Sequence, residues 1–204
     1  MIKNIIFDLG NTVLRFDPRE ITKNFYYTMD RNFDILTSVT FARKFWDKCD
    51  SGEISQEAFK NAIRDELPDN LHKYSDKICD FWYEVLPVID GMEELIDELK
   101  GHGYRVFALS NISKHFSENR RKIPILSKFE KMILSADYGI VKPDKEIYKL
   151  AISEFSVKPE ETLFADDSKI NIDAAEKLGI HGYIFDGDAA KLKDYILSIQ
   201  EAQK

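Results

Sequence analysis

Short apolar runs recur at Ile2 to Phe7, Arg105 to Leu109, Lys131 to Leu134, Thr162 to Ala165 and Gly182 to Phe185. Their length and their bounding turn residues predict strands. Most are separated by segments whose apolar residues fall three or four apart. Met92, Leu95, Ile96 and Leu99 share one helical face, and Gly101 and Gly103 suit its C-terminal end. Ile147, Leu150, Ala151 and Phe155 share a second, with Pro143 expected at the first helical position. Ile170, Ala174 and Leu178 make a third, closed by Gly179. Strands alternating with such helices imply βαβ units, and so an α/β fold: a doubly wound parallel sheet with helices on both faces.

Between Arg15 and about Val88 the spacing is helical throughout. Phe59, Ile63 and Leu67 fall at successive i+4 positions, as do Tyr74, Ile78 and Trp82. The segment reads as a helical-bundle unit, residues 15–88, inserted into a core made of residues 1–14 and 89–204. Phe16-Asp17-Pro18 and Leu86-Pro87-Val88 carry helix-breaking prolines and suit a pair of linkers. Both tryptophans lie in the insert and are expected in its core.

The 204 residues carry a formal net charge of −7, which argues against nucleic acid or an anionic membrane as partner, since both ask for a basic face. Cys49 and Cys79 have neither disulfide nor metal-ligand spacing and read as buried thiols. With no signal-like opening and no apolar run near the roughly 18 residues of a membrane span, a cytoplasmic location is expected. Oligomeric state is left open by the sequence.

In open parallel sheets, ligands bind beyond the carboxyl ends of the strands. Asp8 stands there, between Ile5-Ile6-Phe7 and Gly10-Asn11-Thr12; it reads as a catalytic carboxylate or as an ordinary turn residue. Ser110-Asn111 follows Leu109, and Asp166-Asp167 follows Ala165. If these ends are adjacent, up to three carboxylates meet, and their repulsion asks for a cation. Mg²⁺ suits a few carboxylate oxygens together with phosphate. The competing reading of Asp166-Asp167 is a strand-to-helix turn with a capping aspartate. Lys142, before Pro143, reads either as the cation of an anion site at a helix N-terminus or as a surface charge.

Taken in order, Phe7-Asp8-Leu9-Gly10-Asn11-Thr12, Leu109-Ser110-Asn111, Val141-Lys142-Pro143 and Phe164-Ala165-Asp166-Asp167-Ser168 resemble the four motifs of the haloacid dehalogenase superfamily. The insert looks like that superfamily's helical cap, of the C1 type in subfamily IA. Asp50-Ser51-Gly52-Glu53-Ile54-Ser55 and the Asp-Leu-Gly-Asn opening are similar to its sugar-1-phosphatase branch, such as the α-D-glucose-1-phosphatases. The resemblance implies a Rossmann-like core and a phosphohydrolase acting on a small phosphorylated metabolite such as a hexose 1-phosphate. It makes Asp8 the nucleophile of an aspartyl-phosphate mechanism. Mg²⁺ would be held by Asp8, the Gly10 carbonyl and Asp167, with Asp166 as a further ligand or an orienting neighbour. Ser110, Lys142 and, as a lesser candidate, Asn111 would bind the phosphoryl oxygens.

One position departs from that pattern. Most phosphatases of the superfamily carry a second aspartate two residues after the nucleophile, as general acid and base, and here that residue is Gly10. A positioned acid is worth about 10² to 10⁴ in rate. Either the leaving group is acidic enough to depart unaided, or another group substitutes, or turnover is weak. Asp17 is a possible substitute, against its plainer role as a cap before Pro18. A metal-free haloacid dehalogenase, a phosphomutase and a non-catalytic sugar-phosphate-binding module are the alternatives. Phe45 and Trp46, or Gly52-Glu53, are candidates to face the substrate.

Overall fold

The computed structural model describes residues 1–201. Five parallel strands, β1 (Asn4–Phe7), β2 (Arg105–Ser110), β3 (Lys131–Leu134), β4 (Thr162–Asp166) and β5 (His181–Ile184), form one sheet in the order β3-β2-β1-β4-β5. Asn4 registers with Arg105 on one side and with Thr162 on the other. The chain therefore leaves β1 for β2 and β3, then crosses back to β4 and β5. The switch falls between β1 and β4, where such sheets open a crevice. β2 and β4 run one residue past their expected ends, which makes Ser110 and Asp166 part of the strands themselves. β1 begins two residues later than expected and β5 one residue earlier.

The two-residue period of the strands feeds two separate cores. Ile5, Phe7, Val106, Ala108, Leu163 and Ala165 face one cluster, and Ile6, Phe107, Leu109, Ile133 and Phe164 face the other. Near-continuous apolar strands are what a sheet covered on both faces requires.

Five helices follow β1 within the insert: α1 (Pro18–Lys23), α2 (Arg31–Thr40), α3 (Arg43–Asp50), α4 (Gln56–Arg64) and α5 (Asp69–Phe81). Pro18 opens α1, and Asp17 caps it by accepting from the Arg19 and Glu20 amides. The capping role of Asp17 thus accounts for its carboxylate. Ser55 caps α4, whose Phe59 and Ile63 are buried. Phe16 meets Phe41, Trp46 and Trp82 edge-on, with centroids 5.6 to 5.8 Å apart. The two connections to the sheet lie side by side: the Arg15 amide donates to Pro87 O (2.8 Å) and the Ile89 amide to Val13 O (3.0 Å), around a Leu14–Val88 bridge.

α6 (Met92–Gly101) buries Met92, Leu95, Ile96 and Leu99 as expected. α7 (Lys114–Asn119) follows β2, and α8 (Lys145–Phe155) precedes β4. Pro143 is not the first residue of α8: Asp144 caps the helix and Lys145 opens it, so the proline ends the incoming loop. α9 (Lys169–Glu176) corrects another expectation. Its buried residues are Ile172 and Ala175, while Ile170 is 67% exposed. The helix starts at the crevice, so its first turn has no sheet beneath it. α10 (Ala189–Glu201) ends the described chain. Cys49 and Cys79 are buried free thiols. Among the described residues, no helix is long and apolar enough to cross a membrane.

Candidate active site

Asp8 is the first residue beyond β1, and its amide still donates to Ala165 O at 2.9 Å, so the sheet ladder fixes where its side chain starts. The next turn is tight: the Val13 and Leu14 amides both donate to Leu9 O. Asn11 takes a left-handed φ of 54°, a conformation Asn tolerates better than most residues, and its Oδ1 accepts from the Phe16 amide. A Cβ added at Gly10 would meet no atom within 4 Å. The missing carboxylate at that position is therefore not imposed by packing.

The ends of β1, β2 and β4 and the loop before α8 bring Asp8, Ser110, Asp167 and Lys142 to one cleft of about 630 Å³, with Asp166 buried behind Lys142. Oxygens of Asp8, Asp166 and Asp167 lie within 4.8 Å of one another. Lys142 is the only ammonium among them, 2.8 Å from Asp8 Oδ1 and 2.6 Å from Asp166 Oδ2, with Leu109 O 3.1 Å away. Its side chain is 1% exposed, so it is no surface charge. Nor does it lean on a helix N-terminus; it reaches inward to the strand ends. Asn111 explains how. Its amide donates to Lys142 O (2.9 Å) and accepts from the Lys142 N–H (2.7 Å), clamping the loop. The side chain expected as a lesser phosphate donor is thus engaged with backbone.

Asp166 is fully buried and has all its neighbours in place: the Ser168 amide at 2.8 Å, Asn171 Nδ2 at 3.0 Å from both oxygens, and Lys142. Asp167 is exposed toward the cleft. Burial pushes the Asp8 carboxyl up to about 6, against the pull of Lys142 and with Asp166 adding repulsion. Asp167 is raised as well, by burial and by Asp166. For Lys142, burial works against the ammonium, but Asp8 and Asp166 outweigh it and hold its pKa up. Three carboxylates facing one ammonium leave an uncompensated negative charge. Asp8 Oδ1 is buried and faces, at 2.8 Å, an ammonium that Asp166 already shares at 2.6 Å. A hard divalent cation with oxygen preference fits this donor set.

The opposite wall comes from the helical insert. Phe16, Phe41, Trp46 and Trp82 line it, as do Arg43, Asp47 and Asp50 of α3. Trp46 therefore faces the cleft as one expectation had it, while Phe45, Gly52 and Glu53 are not among the lining residues. Gly52 instead packs closely on the turn after β3, at a left-handed φ of 75° and with a Cβ there set to lie 3.0 Å from Ala136 O. Sequence reasoning missed Asn171, Asp50 and the clamping role of Asn111. A polar residue one turn into the helix after Asp166-Asp167 was a readable signal for Asn171; Asp50 opened the segment from Asp50 to Ser55 that carried the resemblance, but no role of its own was read from it.

An aspartate-centred, cation-ready cleft at the switch point of a parallel sheet defines an α/β enzyme of the hydrolase type. The chain belongs to the haloacid dehalogenase-like hydrolase family, whose profile matches residues 5–184. It is 26% identical over 194 residues to a D-ribitol-5-phosphate phosphatase of Bacteroides thetaiotaomicron, covering 90% of this chain and 91% of that one. A family enzyme from the same organism, solved with magnesium and inorganic phosphate, superposes with a TM-score of 0.71 at 26% identity, covering 90% and 93% of the two chains. An (S)-2-haloacid dehalogenase of Burkholderia cepacia is 29% identical over 133 residues, 65% of this chain and 57% of that one.

Proposed function

We propose that this protein is a Mg²⁺-dependent phosphomonoester hydrolase that works through an aspartyl-phosphate on Asp8, with a sugar phosphate such as a hexose 1-phosphate as substrate. The observation that carries this reading is the buried Lys142 ammonium between Asp8 and Asp166, with Asp167 open to the same cleft. That arrangement holds more negative charge than one lysine balances, which suits a site completed by a cation and a phosphate. A dehalogenase working without metal gains nothing from crowded carboxylates. The phosphatase and magnesium–phosphate relatives support the same choice.

In this reading Asp8, Asp167 and the Gly10 carbonyl hold Mg²⁺, which when bound screens the nucleophile from the phosphate dianion. Asp166, whose oxygens are already engaged, orients Lys142 and Asn171 rather than serving as a ligand. Lys142 and the Ser110 hydroxyl, which sits beside Asp8, hold the transferring oxygens, where preorganised donors act most strongly. Asn111 keeps Lys142 in place. Residues 15–88 act as the cap over a core of 1–14 and 89–204, excluding water and choosing the substrate through the aromatic wall and α3.

A phosphate-release screen across sugar phosphates and p-nitrophenyl phosphate, with Mg²⁺ or chelator, tests the proposal. Release is expected with Mg²⁺ alone, and Asp8→Asn should lower it by about 10³-fold or more. Chelator-resistant halide release from a 2-haloacid, with no phosphate release from any ester, would point to the dehalogenase instead.

A further inference from the structure

Asp50 is the last residue of α3, where the helix dipole disfavours a carboxylate, and Asp47 one turn earlier adds a like charge. Its Oδ1 is buried without any hydrogen-bond partner. Each such group in a folded protein calls for an explanation. Asp47 is different: it is 60% exposed and pairs with Arg43 at 3.3 Å.

The position of Asp50 is held from the core side. Ser135, just after β3, donates its hydroxyl to Asp50 O (2.5 Å) and accepts from the Ile112 amide (2.8 Å) just beyond β2. Close packing of Gly52 on Ala136 fixes the same corner of the insert. Asp50 therefore lines the cleft that holds Asp8, Lys142 and Asp167, from the opposite wall, without depending on a loop that must first order itself. Burial, with Asp47 adding, Arg43 opposing and Asp8 contributing from across the cleft, pushes its carboxyl up to about 7.

We infer that Asp50 is the general acid and base of the reaction, doing from the insert what no side chain at Gly10 can do. The inference rests on the phosphohydrolase reading. In the first step Asp8 attacks phosphorus, the bond from phosphorus to the leaving oxygen breaks, and the Asp50 proton passes to that oxygen. In the second step water attacks the aspartyl-phosphate, Asp50 takes its proton, and the bond from phosphorus to Asp8 breaks. Phosphate leaves, and both carboxyl groups return to their starting states. A leaving group then need not be acidic to depart.

The test compares an aryl ester, p-nitrophenyl phosphate, with an alkyl ester, a sugar 6-phosphate, in Mg²⁺. Wild-type protein should hydrolyse both. Asp50→Asn should lower kcat/KM, which covers the steps only as far as departure of the leaving group, by about 10²-fold or more on the alkyl ester and by less than about threefold on the aryl ester, because only the poor leaving group needs the proton. Loss of the base should lower kcat on both esters, with the aspartyl-phosphate accumulating on the aryl one. Adding Gly10→Asp, for which the turn has room, should recover at least about tenfold of the lost alkyl turnover. Equal losses of kcat/KM on the two esters, a change confined to KM, or full alkyl turnover in Asp50→Asn would overturn the assignment and leave the phosphatase reading standing. So would a wild type that turns over only aryl or anomeric phosphates. No turnover of any ester would sink both.

Discussion

At the scale of single residues, Lys142 carries the largest stake. It is enclosed by Asp8, Asp166 and Leu109 O. Lys142→Met would keep the stem and leave two buried carboxylates facing each other. Removing one partner from a buried pair costs about 3 to 5 kcal/mol, so urea unfolding in chelator should show a loss of that order, and phosphate release should fall away. Asp8, Ser110, Lys142 and Asp167 were legible beforehand because each sits where a strand or loop ends, a position that linear spacing reveals. Asn171 and Asp50 were not. Each acts across the cleft or through a neighbouring side chain, and the relevant distance exists only after α9 and α3 have docked. The amide of Asn111 shows the limit from the other direction, since its place in a motif suggested a ligand contact while its hydrogen bonds hold a backbone loop.

Among the secondary-structure elements, the strands were read more faithfully than the helices around them. A doubly covered strand must be apolar along its whole length, so each run announced itself, and errors were confined to one or two end residues. α9 misled because Ile170, Ala174 and Leu178 share a helical face that only partly meets the sheet. The true contact is tighter and includes Gly182 on β5, where a Cβ would lie 2.4 Å from Ile172 Cγ2 and 2.7 Å from Glu176 Oε1. Glu176 can swing aside, but Ile172 is buried and cannot. Gly182→Ala is therefore expected to cost about 1 to 3 kcal/mol through overpacking, read as a lower urea midpoint at an unchanged slope. A glycine inside a predicted strand was the only trace of this close approach in the sequence.

For the molecule as a whole, the cleft places a pH-dependent load on the fold. Asp8 and Asp50 have folded-state pKa values of about 6 and 7, both above the ordinary value of 3.8. Between about pH 4 and 7 the folded state thus binds protons that the unfolded chain has released, so these two groups make stability fall as pH rises through that window. In chelator the protein should unfold at higher urea concentration at pH 5 than at pH 7.5, with about 1 to 1.5 kcal/mol of the difference due to Asp8. Mg²⁺ should shrink the difference by favouring the ionised site. An unchanged midpoint between the two pH values would contradict the buried-carboxylate account. The paired connections at Leu14 and Val88 bear on a different property, the order in which the chain assembles. β1 and β2 are neighbours in the sheet yet roughly a hundred residues apart in sequence, a separation that makes the encounter slow. Once the insert has folded and the amides of Arg15 and Ile89 have found their carbonyls, that long loop is already closed. Only the few residues outside the pair and α6 then remain to be brought together, so the helices that cover the finished site can also serve, earlier, as the clasp that lets the central strands meet.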